Sequence, residues 1–193
     1  MFGVIILKKI MIDMDDVICA GGFLYQLNKF LGTNYSEDDM TSYYMQELIP
    51  EEKKEEWNKY IAEQNIYKDG NIFLPDALST IEKLSKKYEV YIVTAYIFRE
   101  FATKSGNHLY NKFRCLCENL SFLDPTHFIF CDHKELISCD IKIDDKLVNI
   151  MENVETKLLF DAYHNRNIAD EELKKNGVIR VCTWRQIGAL LLD

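Results

Sequence analysis

Two aspartates two positions apart, Asp13 and Asp15, close the apolar run Ile10-Met11-Ile12. Two like charges about 4 Å apart repel by roughly 4 kcal/mol at an effective dielectric near 20, so such a pair normally shares a cation, a proton or a cationic partner. A hard cation is the simplest of these. Mg²⁺ takes one or two carboxylates, keeps several waters and leaves positions for phosphate oxygens, which makes phosphoryl chemistry the first expectation. An Asp-x-Asp by itself also serves as a turn or a helix N-cap, so its meaning depends on what else the chain places beside it.

Three further places carry candidate groups. Val90-Tyr91-Ile92-Val93 ends in Thr94-Ala95, whose hydroxyl and following amide could cradle a phosphate oxygen. Lys134 follows the run His127 to Cys131, where a flexible ammonium could reach an anion. Ile141-Lys142-Ile143 ends in Asp144-Asp145, a second apolar run closed by paired acids. Each has a bland alternative, namely a β-favouring threonine, a solvated lysine or an acidic turn. Two acid-tipped strands in one chain are much harder to dismiss than one.

These groups need a frame that brings strand ends together. Strand-like apolar runs recur at 9–13, 89–94, 127–131, 141–144, 156–160 and 178–182, separated mostly by helix-like segments. That alternation predicts an α/β fold with a mainly parallel, doubly covered sheet. In such sheets ligands bind beyond the carboxyl ends of the strands, where Asp13, Thr94, Asp144 and Asp161 would converge. Residues 20–74 break the pattern. Helical periodicity around 22–31, 36–47 and 51–64 predicts a small helical lobe inserted after the first strand, leaving 1–19 and 75–193 as the core. Ser36, with Glu37, Asp38 and Asp39 behind it, reads as an N-cap, Glu51 to Glu56 as a solvated face, Lys68 to Asn71 as a turn, and Pro75 as the opening of the helix that returns to the core.

The 193 residues, 48% hydrophobic, suffice for one core and a modest insertion. A net charge of −8 argues against binding polymeric nucleic acid, which needs clustered Lys and Arg. The six cysteines, Cys19, Cys115, Cys117, Cys131, Cys139 and Cys182, lack a Cys-x-x-Cys pair and read as reduced, mostly buried residues of a cytoplasmic protein. His127, Cys131, His133 and Cys139 fit no common structural zinc spacing. Gly3 to Leu7 is apolar but too short to span a membrane, and it reads as the lead-in to the first strand.

The ordered set of Asp-x-Asp, Thr, Lys and Asp-Asp at strand ends resembles the haloacid dehalogenase (HAD) superfamily of phosphotransferases over most of the chain. In detail it is most similar to the 5′(3′)-deoxyribonucleotidase family of cytosolic type C, with Leu159 to Arg166 resembling that family's late loop. The resemblance implies a HAD-like Rossmannoid three-layer core and a small helical cap. It makes Asp13 the nucleophile that takes up the phosphoryl group and Asp15 the acid and then the base. Thr94, Ala95 and Lys134 would hold phosphoryl oxygens. Mg²⁺ would sit on the Asp13 carboxylate, the Asp15 carbonyl and one of Asp144 and Asp145; Asp145 is preferred, with Asp144 acting through water, though the sequence leaves that choice open. Asp140 would support the loop carrying Lys134. Asp16 stands where many relatives have glycine.

The implied substrate is a nucleoside monophosphate, with a deoxyribonucleotide favoured. Relatives selective for pyrimidines carry aromatics soon after the first motif, whereas Gly21-Gly22 precede Phe23 here; Phe23, Tyr43, Tyr44 and Trp57 are the candidates for recognising the base. The alternatives are a phosphatase for another small phosphorylated metabolite, and a HAD-like module that binds nucleotide or metal without turnover. The cap aromatics are compatible with a homodimer.

Overall fold

A computed structural model describes residues 6–40, 42–152 and 154–193. In chain order the strands are β1 (Lys9–Ile12), β2 (Cys19–Ala20), β3 (Ile72–Phe73), β4 (Glu89–Thr94), β5 (Phe128–Phe130), β6 (Ile141–Asp144), β7 (Thr156–Phe160) and β8 (Val178–Val181). The helices are α1 (Gly22–Leu31), α2 (Lys54–Glu63), α3 (Ala77–Leu84), α4 (Ser105–Asn119), α5 (Leu147–Ile150), α6 (Asp170–Lys175) and α7 (Trp184–Leu192). Six strands form one sheet in the order β5-β4-β1-β6-β7-β8, with every pairing parallel. The expected α/β architecture is therefore the observed one.

The strands of this sheet are mostly apolar because both of its faces are covered. Along β7, Leu158 joins the larger core with Ile10, Ile12, Ile92 and Trp184, while the next residue, Leu159, joins a smaller one with Ile150, Leu173 and Val178. Successive strand residues point to opposite faces, so the two clusters mark the two sides of a three-layer structure. β1 lies between β4 and β6, so the chain leaves the first strand at the point where the sheet's connections change direction. A crevice opens there beyond the strand ends.

The insertion enters and leaves through an antiparallel β2–β3 ribbon that the hydropathy pattern did not announce. Its helix α1 spans the expected residues, but the helix expected over 36–47 is instead two short 3₁₀ turns, Glu37–Asp39 and Met45–Leu48. Ser42 explains part of the break: its hydroxyl donates to Glu47 Oε2 at 2.7 Å and accepts from the Tyr44 amide at 3.1 Å, offering the backbone an alternative to helix. Over 51–64 a 3₁₀ turn precedes α2. Ser36 and Asp39 do form a capping box, on a single turn.

Other expectations change. Only Cys19 and Cys115 are buried; Cys117, Cys131 and Cys139 are half-buried and Cys182 is exposed, all six as free thiols. Asp140 accepts from the Lys9 amide at 2.6 Å, tying the start of β1 and not the loop that carries Lys134. Gly3, Val4 and Ile5 of the N-terminal apolar run lie outside the described residues, while Ile6 and Leu7 are exposed coil before β1. No helix among the described residues is long and apolar enough to cross a membrane.

Candidate active site

The turn after β1 is held from several sides. Asp13 donates its amide to the Ile143 carbonyl at 2.9 Å, and the amides of Ile18 and Cys19 return to the Met14 carbonyl. Asp16 adopts φ 58°, the left-handed conformation that glycine enters most easily and aspartate tolerates. The buried Trp184 of α7 donates its indole N–H to the Val17 carbonyl at 2.7 Å, pinning the turn from below.

Asp13 and Asp15 receive different partners. Lys134, on a 3₁₀ turn after β5, places Nζ 2.6 Å from Asp13 Oδ2 and 2.9 Å from Asp144 Oδ2. The Lys134 carbonyl accepts from the buried Lys142 ammonium at 3.2 Å, which fixes the loop against β6. Asp15 meets Lys112 instead: Nζ lies 2.7 Å from Asp15 Oδ2, 2.7 Å from Thr94 Oγ1 and on the Ala95 carbonyl. Thr94 and Ala95 thus converge with Asp15, and Lys134 converges with Asp13 and Asp144.

The terminal acids are also unequal. Every Asp144 oxygen is occupied, Oδ1 by the Lys146 amide and Asn149 Nδ2, each at 2.9 Å, and Oδ2 by Lys134. Asp145 Oδ2 is 2.6 Å from His164 Nε2, while its Oδ1 is buried with no protein partner. Ligand atoms of Asp13, Asp144 and Asp145 lie within 4.8 Å of one another, as do those of Asp16, Asp145 and His164. A buried carboxylate oxygen without a donor, close to the oxygens of two further aspartates, is a fit for a hard cation such as Mg²⁺.

Charge and burial act together. Burial raises the carboxyls of Asp13, Asp144 and Asp145, opposed at the first two mainly by Lys134 and at Asp145 by His164. Asp16 is raised well above the usual range by burial and by Asp145. At Asp15 burial also pushes up, but Lys112 outweighs it and holds the carboxyl below the usual range. For Lys134, burial works downward and the carboxylates of Asp13 and Asp144 reverse it, so the ammonium stays protonated.

A cavity of about 580 Å³ opens between the insertion and the strand ends, and Asp15, Phe23, Tyr43, Tyr44 and Trp57 all line it. Trp57 is nearly buried, with Phe23 and Phe30 edge-on at 5.5 and 5.3 Å, so most of its ring serves the core of the lobe. Tyr43 is exposed, and the Lys146 ammonium sits 3.5 Å from its ring centroid. Gly21 and Gly22 have a packing role: a Cβ on Gly22 would meet the Ile66 carbonyl oxygen at 1.8 Å, and Gly21 sits at φ 91°.

Lys112, His108, Tyr67 and the contact of His164 are not marked by any motif in the sequence. One signal was present: Ser105, His108, Lys112 and Cys115 recur at helical spacing and all face inward in α4. A polar stripe on a buried helix face needs partners.

The family model for 5′ nucleotidase, deoxy (pyrimidine), cytosolic type C protein matches residues 6–192. A 5′(3′)-deoxyribonucleotidase of Bacillus subtilis strain 168 is 31% identical over 194 residues, covering 96% of this chain and 99% of its own. The 5′(3′)-deoxyribonucleotidase of Bacillus phage SPbeta matches equally, 31% over 194 residues with the same coverage. Among solved structures, a haloacid dehalogenase-like hydrolase from Streptococcus pneumoniae superposes with a TM-score of 0.54 at 14% identity, over 95% of this chain and 98% of that one, a likeness of fold. With acid-tipped parallel strands on a HAD-like fold and a family match running through nearly the whole chain, this protein belongs to the 5′ nucleotidase, deoxy (pyrimidine), cytosolic type C family.

Proposed function

We propose that this protein hydrolyses deoxyribonucleoside monophosphates to nucleoside and phosphate through an aspartyl-phosphate on Asp13, with Mg²⁺ as cofactor and residues 20–74 as the cap over the site. The observation that carries the reading is the pairing of the two aspartates with different lysines, Asp13 with Lys134 and Asp15 with Lys112. Membership of the family supports the reaction class, a phosphoric monoester hydrolysis.

Asp13, Asp145 and the Asp15 carbonyl would hold the cation, because Asp145 keeps an oxygen free while Asp144 spends all of its own on Lys134, Asn149 and the Lys146 amide. The bound cation would neutralise charge on the phosphoryl oxygens. Asp144 then acts by anchoring Lys134.

In the first half-reaction an Asp13 carboxylate oxygen attacks phosphorus, the bond from phosphorus to the nucleoside oxygen breaks, and that oxygen takes a proton from Asp15. In the second, Asp15, now a carboxylate, takes a proton from water. The water oxygen attacks phosphorus, releasing phosphate and restoring Asp13. Asp15 must therefore enter protonated, although Lys112 keeps it ionised at rest. An incoming phosphate dianion competes for the ammonium shared by Thr94 and Ala95, and drawing Lys112 away removes the interaction that holds the Asp15 proton off. Thr94, Lys112 and Lys134 then face the phosphoryl oxygens.

The test is phosphate release from ribo- and deoxyribonucleoside 5′- and 3′-monophosphates, sugar phosphates and an aryl phosphate, with Mg²⁺ and with EDTA. The expected result is Mg²⁺-dependent turnover led by deoxyribonucleotides. High kcat/KM for a sugar phosphate with poor values for every nucleotide would overturn the substrate reading.

A further inference from the structure

Asp15 is held at both oxygens, and the two holds differ in kind. Lys112 takes Oδ2, the hold that a substrate phosphate can draw away. Oδ1 accepts the Tyr67 hydroxyl at 3.1 Å, and that hydroxyl lies 3.3 Å from His108 Nε2. A phenol has one proton, and the carboxylate oxygen can only accept it, so the Tyr67 oxygen must in turn accept from an Nε2–H of His108. His108 therefore carries a proton at Nε2. Burial, followed by the charge of Lys112, depresses its pKa to about 3, in agreement with a neutral ring.

The chain of contacts is rigidly built. Tyr67 and His108 are both buried, their rings 5.3 Å apart, and Phe98 packs 4.6 Å from the imidazole on another side. His108 stands one helical turn before Lys112 on α4, so one helix face reaches Oδ2 of Asp15 directly and Oδ1 through Tyr67. Tyr67 comes from the insertion, immediately after Ile66, whose carbonyl is seated against Gly22. The close approach that only glycine allows there brings Tyr67 to Asp15.

We propose that His108 and Tyr67 are positioning residues for leaving-group protonation: by occupying Oδ1 they direct the proton of Asp15 to Oδ2, the oxygen that Lys112 vacates. This rests on the reading of Asp15 as the general acid. It assigns the insertion a second role besides covering the substrate, since one of its side chains completes the acid.

The test separates this role from nucleoside binding and from folding. Substituted phenyl phosphates, from phenyl to 4-nitrophenyl, share a shape and lack a nucleoside, but their leaving groups depend on protonation to different degrees. The readout is the slope of log kcat/KM against leaving-group acidity. Tyr67→Phe and His108→Leu should each lose about tenfold or more with phenyl phosphate but less than about threefold with 4-nitrophenyl phosphate, steepening the slope. His108→Gln, which keeps an N–H near the Nε2 position, should retain most of the wild-type slope. Tyr67→Phe preserves the ring packed on His108, so the test survives a poorly folding His108→Leu.

Parallel losses across the series in Tyr67→Phe would overturn the proposal, as would a His108→Gln slope as steep as that of His108→Leu. Asp15→Asn serves as the reference. A steep slope in Asp15→Asn with a wild-type slope in Tyr67→Phe sinks this inference alone, whereas an unchanged slope in Asp15→Asn removes the acid role itself.

Discussion

Asp13 and Asp15 leave the same strand two residues apart and end in opposite environments. Asp13 has 8% of its side chain exposed and shares the buried Lys134 with Asp144; Asp15 has 46% exposed and faces the cavity beside Lys112. Burial drives the Asp13 carboxyl up, while Lys112 holds that of Asp15 down. This is the reverse of what a nucleophile and an acid require. On the proposed mechanism a bound cation would favour the Asp13 carboxylate, beside the Lys134 ammonium already there, and a phosphate would draw Lys112 from Asp15. The proposed mechanism thus has Asp15 take up its proton only when substrate is present.

The largest effect is expected of Asp13→Asn, which should reduce kcat/KM by at least about a thousandfold and abolish phosphate trapped on the protein, as loss of a nucleophile does. Trapping by that variant in a quench experiment would place the nucleophile elsewhere. Lys112→Met removes the partner of Asp15 and a holder of phosphoryl charge, and about a hundredfold fall in kcat/KM is expected. A fall confined to KM would instead mean that Lys112 only binds ground-state phosphate.

A smaller effect is expected on the Asp13 side. His164→Leu leaves Asp145 without its 2.6 Å partner, so the Mg²⁺ concentration giving half-maximal activity should rise about tenfold. An unchanged Mg²⁺ dependence would show that His164 does not orient that carboxylate.

The smallest effect concerns stability on the Asp15 side. His108 has a folded pKa near 3, below the roughly 6.5 of an unfolded histidine, so below the latter value the unfolded chain binds the extra proton. The stability that His108 contributes is thus present above about pH 6.5 and lost as pH falls, by at most about 1.4 kcal/mol per pH unit. The raised carboxyls of Asp13, Asp16, Asp144 and Asp145 act in the opposite sense, which makes the informative quantity a difference. The urea midpoint of wild type, relative to that of His108→Gln, should decline between pH 6.5 and 4.5. A constant difference would show that His108 titrates normally.

Much of the sheet was legible because each strand is a short apolar run with a polar end, and period and length suffice to mark it. The observed β1, β4, β6 and β7 fall within a residue of the runs that predicted them. The insertion was less legible. Its 36–47 segment has helical periodicity, yet Ser42 draws local hydrogen bonds that a periodicity argument does not weigh. Trp57 and Phe23 line the cavity and also pack against each other, and no one-dimensional pattern separates those two duties.

The identity and order of the groups placed at or just beyond strand ends, Asp13, Asp15, Thr94, Lys134, Asp144 and Asp145, are written in the chain. Parallel pairing then carries those ends to one edge with little further information. Which charge answers which is fixed by the three-dimensional packing. Lys112 lies 97 residues from Asp15 and His164 lies 19 from Asp145, and nothing local distinguishes them from a solvated lysine or a loop histidine. Packing likewise sets Asp144 apart from Asp145, since Lys134, Asn149 and the Lys146 amide occupy both oxygens of the first and leave one oxygen of the second bare. Electrostatic pairing in a buried site depends on distances of a few ångströms, and the chain acquires those only when its helices close over the sheet.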